Sequence, residues 1–142
     1  MDVFINLLIW IHILAFIAGG SNSVVGPIVG GRLATAGPEL RPAYFSLMDR
    51  LSTVGKVSMV LLLVTGPLIL WLRYGGIGGV SPWFWVKMAL VVVMLVTIIF
   101  AGIQFKKYEA GDVAAGHLAE QVHKITLLAG LGVVLAAVFA FN

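Results

Sequence analysis

Three ionisable side chains lie inside stretches of this chain that are otherwise apolar: His12, Lys56 and Lys87. A fourth, His123, stands at the edge of another such stretch. An ionisable group in an apolar segment is costly and marks a functional position by default. The chain has no cysteine, which excludes thiolate catalysis, Cys-ligated zinc, iron–sulfur ligation and covalent c-type haem attachment. A neutral imidazole suits an axial bond to a b-type haem iron, so His12 is the candidate metal ligand. Ala15, Phe16 and Gly19 follow it at i+3, i+4 and i+7 on one helical face. The small residues among them leave room for a flat macrocycle beside the ring. The structural alternative is a histidine hydrogen-bonded to a neighbouring helix. Lys87 is the candidate catalytic residue, as a proton donor or acceptor, a haem propionate partner or a second axial ligand. Its alternative is snorkelling past Trp83 and Phe84 to the headgroups.

The elements that must position these groups follow from composition. Of 142 residues, 61% are hydrophobic and 11% charged, with a mean hydropathy of +1.07. A soluble domain carries about 45–50% apolar and about 25% charged residues. The chain therefore reads as all-α, an integral membrane four-helix bundle forming a single domain over 1–142. Spans are expected at about 3–31, 51–72, 82–105 and 121–141. Met1-Asp2 gives no basic leader, so the N-terminal run reads as a first span rather than a cleaved signal. That run is too long for a bilayer of about 30 Å and must tilt, protrude or break, with Gly19-Gly20-Ser21-Asn22-Ser23 and Gly26-Pro27 as the weak points. Tyr44 to Arg50 is expected as a short interfacial helix. Gly66-Pro67 should kink the second span, and Ser81-Pro82 should open the third as N-cap and N1.

Depth along the spans groups the candidates. His12 and Lys87 differ by only about 4–5 Å in height at 1.5 Å per residue, so they are expected to face one site. His123 lies roughly 13 Å deeper than His12. A haem held by both histidines is thus the second choice, and His123 is expected on a polar face with His117, Glu120 and Lys124. Lys56 is expected to snorkel, or to approach Glu120 or Asp49. The first and third connections, with their span ends, hold Arg32, Arg41, Arg50, Lys56, Lys106, Lys107 and Lys124, against Arg73 on the other side. This bias predicts both termini outside the cytoplasm, with Trp10, Trp71, Trp83 and Trp85 in the outer half. The net charge of +3 is too small and scattered for nucleic-acid binding. The methionines do not cluster, which gives copper handling little support.

Trp10-Ile11-His12 followed by Ala18-Gly19-Gly20, and Trp83-Phe84-Trp85-Val86-Lys87-Met88-Ala89-Leu90, resemble the HemJ-type membrane protoporphyrinogen oxidases and the wider group of copper-resistance-D-like membrane domains. The resemblance implies a helical membrane protein associated with haem b, with His12 and Lys87 at the family's functional positions. After the first span's Ala-Gly, this chain has Gly20-Ser21-Asn22-Ser23-Val24 in place of the family's aromatic-leucine-proline-arginine stretch. Its fourth span has Glu120-Gln121-Val122-His123 in place of Arg-Trp-Phe-Asn. The expectation is a distant relative: a haem protein of a bacterial inner membrane. It would transfer electrons or oxidise a membrane-soluble substrate, with quinone or a porphyrinogen as partner. The alternatives are a metal-handling membrane protein of the copper-resistance kind and a non-catalytic subunit. The last would oligomerise through its small-residue faces, with further copies of itself or in a larger complex, and in every reading the chain contacts membrane lipid.

Overall fold

The computed structural model describes residues 2–140. Four helices make up almost all of it: α1 Asp2–Thr35, α2 Arg41–Tyr74, α3 Pro82–Glu109 and α4 Val113–Ala140. One 3-10 turn, Ile77–Gly79, lies between α2 and α3. All four helices are long and apolar enough to cross a membrane, and no strand occurs among the described residues. The protein is an all-α membrane four-helix bundle.

The helices outrun the hydropathy pattern. α1 passes unbroken through Gly19–Ser23 and Pro27, because the polar groups of that patch find partners. The Ser21 hydroxyl donates to Ala18 O at 2.8 Å, and the Asn22 amide donates across to Leu51 O on α2. The expected interfacial helix at Tyr44 is the first part of α2, which starts at Arg41 with Pro42 in its first turn. α2 also continues across Gly66-Pro67. α4 starts at Val113, eight residues before the expected 121, where Asp112 Oδ1 accepts the Ala115 N–H at 3.3 Å. The expected end of the fourth span at Phe141 lies outside the described residues. Ser81 does precede Pro82 at the start of α3, but its hydroxyl makes no cap bond and is buried without a partner. α2 ends at Gly75, whose φ of 71° is the left-handed conformation glycine adopts without steric cost.

Packing follows a seam on each helix. On α1, Leu8, Ala15, Gly26, Val29 and Leu33 are buried, with His12, Gly19 and Asn22 half-buried between them. These positions step alternately by four and three residues, the spacing of a left-handed bundle. α4 repeats the pattern with Ala115, Ala119, Val122, Thr126, Ala129, Val133 and Ala136, all buried. The α4 seam is built of small residues and the α1 seam includes Ala15, Gly19 and Gly26, while Ile17, Val96, Ile99, Leu128 and Leu131 face outward. In lipid there is no hydrophobic drive to bury large side chains, and small residues let helices approach.

The bundle consists of two hairpins. α1 packs along α2, and α3 packs along α4. The pairs meet chiefly where α1 touches α4, and α2 has little contact with α3. One end carries the helix termini and the α2–α3 connection; the other carries the two short loops, 36–40 and 110–112. The four tryptophans occupy the terminus end, all exposed, with Trp83 stacked on Phe139 at 5.0 Å.

Candidate functional site

His12 sits on the α1 seam and meets α2. Its Nδ1 lies 2.7 Å from Thr65 Oγ1. The Thr65 hydroxyl also reaches back one turn to Leu61 O at 2.7 Å, a bond open to any threonine within a helix. A hydroxyl has a single proton. With that proton on Leu61 O, Thr65 accepts, and Nδ1 of His12 carries the hydrogen. Nε2 then holds the lone pair. Gly66 lies against the same ring: a β-carbon there would be 3.5 Å from His12 Cε1.

Lys87 lies on α3, half-buried between Phe84 and Val91 on that helix's inward face. His12 and Lys87 stand on different hairpins, each half-buried on its own helix. Ala15 is buried on the α1 seam, and Phe16 is half-buried beside it. Gly19 is used differently from the space expected of it. A β-carbon there would lie 3.2 Å from Ser58 Cβ, so its bare backbone serves the close approach of α1 to α2.

His123 is far from this group. It faces α1 at Gly26, where a β-carbon would lie 3.9 Å from His123 Cε1. Gly26 is 14 residues beyond His12, or roughly 21 Å of helix, so one iron cannot take both histidines. Nor does His123 stand on a solvated face. It is half-buried and lines a cavity of about 390 Å³ at the loop end. His117 and Glu120 line the same cavity and are otherwise exposed. Lys56 is exposed on α2 and makes no ion pair with Asp49 or Glu120 among the described residues.

Sequence reasoning missed Thr65 and the cavity. Thr65 had a signal: it is a hydroxyl in mid-span, and such groups bond across helices. The cavity had none, because all four helices contribute to it.

Among the described residues, no group of three His, Asp or Glu is placed to hold a bare metal ion. Haem makes a smaller demand, since the porphyrin supplies four nitrogen donors and the protein one or two axial ligands. An imidazole held at Nδ1, with no hydrogen bond to Nε2 among the described residues, meets that demand, because ligating histidines are oriented through their other nitrogen. The fold defines a polytopic membrane protein of two helical hairpins, with a half-buried imidazole on one and a half-buried amine on the other. Comparison with family models, with curated proteins and with solved structures finds no match to this chain.

Proposed function

We propose that the protein binds haem b in the half of the bundle nearer its termini and acts in electron transfer or in oxidation of a membrane-soluble substrate. The observation that carries this reading is the His12–Thr65 bond, which occupies Nδ1 and not Nε2. His12 is the axial ligand and Thr65 fixes its ring. Lys87 is the neighbouring cation, which raises the potential of a nearby redox centre and suits a propionate or a proton transfer. The outward-facing large residues keep the site within an apolar, water-poor surround. When bound, haem supplies one-electron chemistry, and the protein tunes it through ligand, burial and local charge. In this reading the basic residues of the loop end face the cytoplasm.

The test is the optical spectrum of detergent-purified protein, oxidised and then dithionite-reduced. A Soret band with a reduced alpha band of b-type haem, lost in His12→Ala, is expected. A preparation that stays colourless after haem addition overturns the reading and leaves His12–Thr65 as a clamp between helices.

A further inference from the structure

The loop-end cavity is a second site, separate from His12 by roughly 21 Å of helix. Its deeper wall is apolar: Gly26, Gly30 and Leu33 of α1, Met48 of α2 and Phe105 of α3 line it. Gly30 leaves real space there, since a β-carbon on it would meet nothing within 4 Å. Its polar groups are of both signs. Arg41, in the first turn of α2, is half-buried with its guanidinium over the rings of Phe45 (5.7 Å) and Tyr108 (5.9 Å). Tyr108 is itself held against α4, where Gly116 leaves room for its ring. Glu120, His117 and His123 of α4 line the same cavity. No ion pair joins Arg41 to Glu120 among the described residues.

A cavity with a cation on one side, a carboxylate on another and an apolar floor at the end of a membrane bundle selects its occupant by charge. An anionic headgroup satisfies Arg41 but is repelled by Glu120. A free phosphate leaves the apolar wall uncovered. We propose that this cavity binds a zwitterionic phospholipid whose headgroup ends in a primary ammonium. The phosphate would meet Arg41, with imidazole N–H groups as further donors. The ammonium would meet Glu120, and the start of one acyl chain would lie along the Gly26–Gly30 strip. Basic pockets between spanning helices hold lipid headgroups in this way, and the carboxylate adds selectivity for the amine.

The experiment is native mass spectrometry of the full chain released from nanodiscs made of equal parts phosphatidylethanolamine, phosphatidylcholine and phosphatidylglycerol. One retained phosphatidylethanolamine per chain is expected. Arg41→Gln, which keeps much of the stem and removes the charge, should lower retention of every phospholipid by about tenfold, the loss of one charged hydrogen bond. Glu120→Gln should transfer the preference to phosphatidylglycerol. Gly30→Leu, whose β-carbon meets nothing within 4 Å, places a side chain in the floor and should abolish retention. Gly102→Leu, on α3 where a β-carbon also meets nothing, should leave it unchanged. Far-UV circular dichroism and thermal unfolding check that each variant is folded. Retention that ignores both Arg41→Gln and Gly30→Leu in folded protein overturns the proposal. So does a wild-type preference for phosphatidylglycerol, or retention of inorganic phosphate in place of lipid.

Discussion

Thr65 Oγ1 lies 2.7 Å from His12 Nδ1 and 2.7 Å from Leu61 O. The two contacts orient the imidazole, and with the Thr65 proton on Leu61 O they leave the lone pair on Nε2. Replacing Thr65 by valine keeps the shape and removes the acceptor. Haem affinity should fall by about 10–100-fold, the usual cost of losing the group behind a ligating histidine. Thr65→Ser should restore it. Haem titration of the apoprotein, followed at the Soret band, reads the difference.

Lys87 is half-buried on α3, and in the proposed site it is the cation beside the haem. A cation beside a haem favours the reduced state, which carries one positive charge fewer. Lys87→Met should therefore lower the reduction potential while leaving the Soret position unchanged. A potentiometric titration with spectral readout measures both. A changed Soret position in this variant would instead make Lys87 a ligand.

Asn22 reaches Leu51 O only because Gly55 has no side chain. A β-carbon on Gly55 would come within 2.8 Å of the Asn22 amide nitrogen. Gly55→Ala should cost about 1 kcal/mol through loss of that bond, and little more when Asn22 is already alanine. Thermal unfolding of the two single variants and the double variant in one detergent tests this non-additivity.

The second hairpin has its own clasp. Thr126 Oγ1 lies 2.8 Å from Thr97 Oγ1, and each hydroxyl is also within reach of a carbonyl of its own helix, so one of the two protons joins the hydroxyls while the other goes to a carbonyl. A double-mutant cycle with Thr97→Val and Thr126→Val should give a coupling of about 0.6 kcal/mol, the average for polar pairs between spanning helices.

Because the chain has no cysteine, a single introduced one is a clean reporter of sidedness. Gly37→Cys and Gly78→Cys lie in connections at opposite ends of the bundle. In intact cells an impermeant maleimide should label Gly78→Cys and spare Gly37→Cys. The reverse pattern would invert the topology drawn from the lysines and arginines.

Much of the fold was legible because four apolar runs can do little else in 142 residues. The helix limits were not, for a physical reason. Arg41–Arg50 and Val113–Glu120 are polar enough to fall outside a hydropathy window, yet after Pro42 and Asp112 no proline or turn signal stops the helix. His12 and Lys87 announced themselves as ionisable groups among apolar ones. Thr65 carried only the weaker signal of a mid-span hydroxyl, since its partner is 53 residues away and seam position is visible only once α1 and α2 are paired. Gly19 shows the remaining ambiguity: a small residue next to a candidate ligand leaves space, and here Ser58 of the adjacent helix takes it.

The division into hairpins also bears on how the chain is made. The bonds of His12 to Thr65 and Asn22 to Leu51 close within residues 12–65, and that of Thr97 to Thr126 closes within 97–126. None of them spans the α2–α3 connection. The first hairpin can complete its polar contacts before the ribosome has delivered the third helix to the bilayer. Two fragments separated between Gly76 and Val80 would each retain their own clasps and need only find each other through α1 and α4.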